Sequence, residues 1–114
     1  MDIVRFADAP FYTAPDHDDV VARRLQGGQA STTDFALVGH SYFRDGAVVP
    51  MGAGAIGKVY VITDGTLIVE QPDGVRHVLH ALDSIFIAAG EARAIRNESG
   101  ASATMIVITP PVPK

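Results

Sequence analysis

At 114 residues the chain is long enough to bury one hydrophobic core and too short for two domains. Hydrophobic residues make up 47 %, as in a folded globular protein, and Lys+Arg 9 against Asp+Glu 13 gives a formal charge of −4, which offers no footprint for nucleic acid or an anionic membrane. The count of zero cysteines excludes disulfides, thiolate metal sites and a cysteine nucleophile together.

The first residues, Met1-Asp2-Ile3-Val4-Arg5-Phe6, lack the basic stretch and apolar core of a signal peptide, and no apolar run reaches the length of a membrane span. The expectation is therefore a soluble, cytoplasmic protein. Residues 1–19 read as an irregular arm that covers a sheet edge. Short β-prone runs then recur, at Val20 to Leu25, Phe35 to Phe43, Ala47 to Pro50, Lys58 to Thr63, Thr66 to Gln71, Val75 to His80, Ser84 to Ala88, Arg93 to Arg96 and Thr104 to Thr109. Asp64-Gly65 and Asp73-Gly74 read as hairpin turns, and Asp45-Gly46, Ala89-Gly90 and Asn97-Glu98-Ser99-Gly100 as breaks. Residues 110–114 carry Pro110, Pro111 and Pro113, which cannot donate ladder bonds, and should leave the sheet. The pattern predicts one all-β domain, a jelly roll or barrel that limits exposed strand edges.

Between the third and fourth of these runs, Gly52-Ala53-Gly54-Ala55-Ile56-Gly57-Lys58 fits both the dinucleotide fingerprint and the P-loop pattern. Either site needs a helix after the glycine turn, because the first N–H groups and the dipole of that helix hold the phosphates. Here Lys58-Val59-Tyr60-Val61-Ile62-Thr63 follows, a β-branched and aromatic run. Val59 also stands where a P-loop needs a hydroxyl for magnesium. A nucleotide site is thereby excluded.

From Gly46 to Asn97 the chain resembles a small cupin, a family of jelly-roll β-barrels with two motifs. The first reads G, five residues, H-x-H, three or four residues, E, six residues, G; Gly46 opens it and Gly65 closes it. The second reads G, five residues, P-x-G, two residues, H, three residues, N; Gly90 and Asn97 are retained, while Leu82 and Ala88 replace the opening Gly and the Pro. The resemblance implies a cupin-type jelly-roll β-barrel and a homodimer. It also implies a metal ion held by two histidines, a glutamate and a third histidine, but those four places hold Gly52, Gly54, Lys58 and Arg93. Glycine has no donor atom, and lysine and arginine bring positive charge to a cation site. The reading is a kept barrel with no metal and no other cofactor. Among the four histidines, His77 and His80 are three apart on one strand and face opposite ways, and His17 sits in the acidic turn Asp16-His17-Asp18-Asp19. His40, on a strand near the first motif, is the one candidate to reach the barrel interior.

In the cupin register Lys58 and Arg93 project into one interior space in which Gly52 and Gly54 leave room, with Tyr60 beside them. Two buried cations require an anion. The expected ligand is a small anionic or carbonyl-containing molecule, gripped by Arg93 and Lys58 with Gly52, Gly54, Tyr60 and His40 as neighbours. Proximity to Arg93 and partial burial would lower the Lys58 pKa and suit it as a catalytic base or imine-forming amine in isomerase or lyase chemistry. Two alternatives stand beside this. Lys58 snorkels outward while Arg93 pairs with Glu91, Asp83 or another acidic residue, or the chain is a non-catalytic sensing or structural module with a filled pocket. Whether it is an enzyme is open at the level of sequence.

Overall fold

Alternate residues of the strands face inward. In Thr66–Glu70, Leu67 and Val69 are buried at 0 % and 3 % exposure while their neighbours are only partly covered. The computed structural model describes residues 1–14 and 16–111. After a short 3-10 turn at Phe6–Asp8, the described strands are β1 Phe11–Tyr12, β2 Val20–Gln26, β3 Leu37–Phe43, β4 Val48–Ala53 and β5 Lys58–Asp64. They continue with β6 Thr66–Glu70, β7 Arg76–His80, β8 Ser84–Ile87, β9 Ala92–Arg96 and β10 Ala103–Thr109. All pairings are antiparallel, in a six-stranded sheet β1-β2-β3-β10-β5-β8 and a four-stranded sheet β4-β9-β6-β7. Phe43, Val49, Ile62, Leu67, Ile87, Ile95 and other apolar side chains fill the space between the sheets. This is the cupin jelly roll. Among the described residues no helix is long and apolar enough to cross a membrane.

The expected arm does reach a sheet edge, since β1 pairs with β2 through Phe11↔Arg23 and Tyr12↔Ala22. At the other end β10 stops at Thr109, and Pro110 and Pro111 lie outside the sheet. Val112, Pro113 and Lys114 of the predicted tail, like Pro15 of the arm, lie outside the described residues.

Asp73-Gly74 is a hairpin turn, joining β6 to β7. Asp64-Gly65 is not. β5 belongs to the larger sheet and β6 to the smaller, so this dipeptide carries the chain around a corner of the barrel. Gly65 adopts φ +76, and a Cβ there would stand 2.7 Å from the Ser102 carbonyl oxygen, so both conformation and packing demand glycine. The second motif's opening position also has left-handed backbone, with Leu82 at φ 71. The turn geometry of the glycine frame survives there without the glycine.

β4 also runs further than the sequence suggests. Pro50 does not end it, because the register shifts between Val49 and Gly52, and pairing resumes with Gly52↔Arg93. A bulge absorbs the residue that lacks an N–H and sets Gly52 opposite Arg93.

Asn97, at 1 % exposure, ties the β3–β4 and β9–β10 connections together. Its side-chain amide donates to the carbonyls of Phe43, Arg44 and Ala101 at 3.1, 3.1 and 2.7 Å, and its carbonyl oxygen accepts from the Ser99 N–H and hydroxyl. Asn97→Ala removes the donor to the buried Phe43 carbonyl, while the Arg44 and Ala101 carbonyls keep the Ala47 N–H and the Ser99 hydroxyl, and should lower stability by about 1–3 kcal/mol in urea unfolding. A loss below about 0.5 kcal/mol, the range of ordinary surface changes, would show that the connections hold without it.

Candidate functional site

The barrel encloses a cavity of about 340 Å³ between the two sheets. Tyr60 on β5, Arg93 on β9, Ser41 on β3, Ala22 on β2, Val49 on β4 and Met105 on β10 form its buried floor. Gly52, Gly54 and Lys58 line it as well, and Asp16, Pro50, Ala53 and Ile56 are exposed at its rim. Of the residues that sequence reasoning selected, Lys58, Arg93, Tyr60, Gly52 and Gly54 are brought together. His40 is not. It stands on the face of β3 opposite the inward Gly39 and Ser41, under the Phe6 ring with centroids 4.9 Å apart. Burial there, reinforced by the Arg23 charge, lowers its pKa, which suits a packed neutral imidazole.

Arg93 is 8 % exposed and spans the two sheets. Its Nε–H donates to the Tyr60 hydroxyl at 3.0 Å, and an Nη1–H donates to the Gly52 carbonyl at 3.1 Å. Neither Glu91 nor Asp83 pairs with it: Glu91 accepts from the Ala88 N–H and Asp83 from the His80 N–H. The ion pairs among the described residues lie outside the cavity, Arg44–Asp19, Arg76–Glu70, Arg76–Glu98 and Arg96–Glu70.

Lys58 does not swing away from the site. Its Nζ lies over Gly54, 2.7 Å from where a Cβ would be, so this glycine makes room for the amine. Burial lowers the Lys58 pKa and the Arg93 charge lowers it further. Tyr60 moves the other way: burial raises its pKa, against the opposing charge and hydrogen bond of Arg93. At Gly52 a Cβ would meet nothing closer than the Pro50 carbonyl oxygen at 3.9 Å, leaving open space where the family places an imidazole.

These residues do not fit a divalent cation. Two of the four family ligand positions offer no donor atom and the other two are cationic. Among the described residues no group of three or more His, Cys, Asp or Glu side chains gathers elsewhere.

Sequence reasoning missed Tyr12 and Arg24. Arg24 follows Val20 and Ala22 at a spacing of two and shares their inward face. Its guanidinium stacks on the Tyr12 ring at 4.0 Å. Tyr12 in turn lies over Gly39, where any Cβ would collide with the phenol oxygen. The period-two pattern of β2 carried the signal for Arg24; nothing in the arm marked Tyr12. His17 and Asp16, read as a solvated turn, also line the cavity.

Because the Lys58 pKa lies below its ordinary value of 10.5, the unfolded chain holds more protons than the folded one between the two values. Stability therefore rises with pH through that window as the folded amine sheds its charge. Urea unfolding of wild type and Lys58→Met should show their difference moving in favour of wild type as pH approaches 10.5, with Tyr60 common to both. A difference independent of pH would mean that the amine is as well solvated folded as unfolded.

No family model matches the chain. Among solved structures, the polyketide cyclase RemF from Streptomyces resistomycificus superposes with a TM-score of 0.84 at 18 % identity, covering 96 % of this chain and 79 % of that one. A sugar phosphate isomerase of the cupin superfamily from Silicibacter pomeroyi DSS-3 gives 0.78 at 19 % identity, covering 96 % and 76 %. Identities this low speak for the fold alone. A closer relation is to the Beta-D-galactosidase Rv1717 of Mycobacterium tuberculosis, 39 % identical over 107 residues, covering 94 % of this chain and 91 % of the relative. The jelly roll, the retained glycine and asparagine frame and this near full-length identity together make the chain a small cupin of the family that includes Rv1717.

Proposed function

We propose that the protein binds a small anionic or carbonyl-containing molecule in its cavity without a metal ion, with Arg93 as anion anchor and Lys58 as second contact. The observation that carries this reading is a buried Arg93 and a partly buried Lys58 on one cavity, with neither ion-paired among the described residues. Charge taken out of water without a counter-charge is costly, so an anionic ligand would relieve a strain already present in the fold. A cavity of about 340 Å³ also supports a binding site over a pocket filled by its own side chains.

The same groups suit proton-transfer chemistry next to a carboxylate or carbonyl: isomerisation, elimination or decarboxylation. Lys58, with its pKa lowered by burial and by Arg93, serves as base or as the amine that adds to a carbonyl carbon and expels water as an imine forms. Tyr60 accepts a hydrogen bond from Arg93 and keeps its own O–H to give to a developing oxyanion. By the family resemblance the working form is a homodimer, with β7 and β8 among the sheet edges open to pairing.

Hydrolysis of β-galactosides is a second reading, favoured by the name of the 39 % identical relative. Glycoside hydrolysis ordinarily runs on two carboxyl groups flanking the scissile bond. Among the described lining residues Asp16 at the rim is the carboxylate, so this route would need an unusual partner such as Tyr60 or Lys58.

A thermal-shift screen of small carboxylates against wild type, Lys58→Met and Arg93→Met decides between them. Acids should stabilise wild type, and each variant should weaken apparent affinity at least about tenfold. Equal responses in all three proteins would remove the anion site. Turnover of a chromogenic β-D-galactoside by wild type, lost in Asp16→Asn, would put the second reading in place of the first.

A further inference from the structure

We infer that Arg24 is a second anion anchor of the cavity and that the ligand is a dicarboxylic acid held at both ends; this rests on the anion site proposed above and names its substrate class. The register of the larger sheet sets the two anchors apart. Arg24 pairs with Gly39, Gly39 with Val107 and Val107 with Tyr60, so the four stand on one rung across β2, β3, β10 and β5. Arg24, Val107 and Tyr60 line the cavity, and the Tyr60 hydroxyl holds Arg93. With neighbouring strands about 4.8 Å apart, Arg24 and Tyr60 are separated by about 14 Å along the sheet, and inward side chains shorten that gap. One rung thus carries a guanidinium at each end.

Arg24 is half-buried and stacked on the Tyr12 ring at 4.0 Å. Among the described residues no ion pair reaches it, either from Asp16 at the cavity rim or from Asp34 in the adjoining hollow that Arg24 and Tyr12 also line. Stacking uses the face of a guanidinium and leaves its N–H edge for a carboxylate. Tyr12 is itself fixed, by pairing opposite Ala22 and by the slot that Gly39 leaves for its phenol. That phenol comes near Tyr60: burial raises the Tyr60 pKa, and Tyr12 adds to the rise. The arm therefore reaches the cavity and positions Arg24 there. Arg24, Lys58 and Arg93 face one lining carboxylate, Asp16, so a monoacid seated on Arg93 would leave Arg24 without a counter-charge.

Calorimetric titration with succinate, glutarate, adipate and pimelate, each beside its monomethyl ester, tests this. The ester keeps the body and one acid group and removes the second charge. At least one diacid should bind the wild-type protein at least about tenfold more tightly than its own ester, beyond the roughly twofold advantage of having two equivalent ends. Arg24→Met should abolish that preference and leave ester affinity unchanged, whereas Arg93→Met should weaken diacid and ester alike. Tyr12→Phe keeps the stacking ring and should keep the preference; Tyr12→Leu should lose most of it. Wild-type protein that binds every diacid no better than its ester, with both weakened by Arg93→Met, would overturn the second anchor and leave the anion site standing. A preference that survives Arg24→Met, or a variant that weakens diacid and ester equally, would reduce Arg24 to a structural residue. Full preference in Tyr12→Leu would remove Tyr12 from the arrangement. No saturable binding by any probe would overturn both the second anchor and the anion site.

Discussion

A buried guanidinium reaching from one sheet to the other is the constraint around which this barrel is arranged. Arg93 rises from β9 in the smaller sheet, gives its Nε–H to Tyr60 in the larger, and returns an Nη1–H to Gly52 on the adjacent strand. Those bonds use two of its five N–H groups. A phenol and a peptide carbonyl lessen the desolvation of the charge without neutralising it. No buried side-chain nitrogen among the described residues lacks a partner, so the rest of the fork is within reach of solvent. The fold thus holds a cation rigidly where it interacts most strongly with whatever enters.

Backbone devices make that arrangement possible. The β4 bulge brings Gly52 opposite Arg93, the corner at Gly65 sends β5 and β6 into separate sheets, and Asn97 fastens the connection just beyond β9. Gly65 and Asn97 belong to the glycine and asparagine frame that the chain keeps. Chemistry has changed inside it: side-chain donors for a metal are replaced by two cations and two glycines, and the glycines supply the volume that the longer side chains need. Gly54 is the clearest case, because the Lys58 amine lies 2.7 Å from where its Cβ would stand, closer than a real Cβ tolerates.

Much of this was legible in the sequence, where the physics is local. Period-two runs and glycine-bearing turns located nine of the ten strands, and motif spacing put Lys58, Tyr60 and Arg93 on one interior. What escaped depended on contacts distant in sequence. A dipeptide such as Asp64-Gly65 serves a hairpin or a barrel corner equally well, and only the pairing of β6 with β9 decides between them. β1 is two residues long and exists because β2 offers it an edge. His40 was assigned to the interior from its proximity to the motif, but strand parity relative to the buried Gly39 and Ser41 sends it outward. The same parity, applied to Val20, Ala22 and Arg24, would have brought Arg24 in.

The electrostatics bear on how binding and catalysis can share this site. A protein of net charge −4 does not draw acids from a distance, so the proposed anion would be held by what it meets once inside, where Arg24, Lys58 and Arg93 face a single carboxylate, Asp16, among the described lining residues. An acid group lying against Lys58 would favour the ammonium and raise the very pKa that burial and Arg93 have lowered. An acid group lying against Arg93 has less of this effect, since it stands against the guanidinium while the reacting carbon approaches an amine still short of water. Reactivity at Lys58 therefore requires a division of labour, with the carboxylate deep on Arg93 and the carbonyl or acidic C–H nearer the rim. The structure provides that order, for Arg93 lies on the buried floor and Lys58 is only partly covered. A ligand bound the other way round would be held but not turned over.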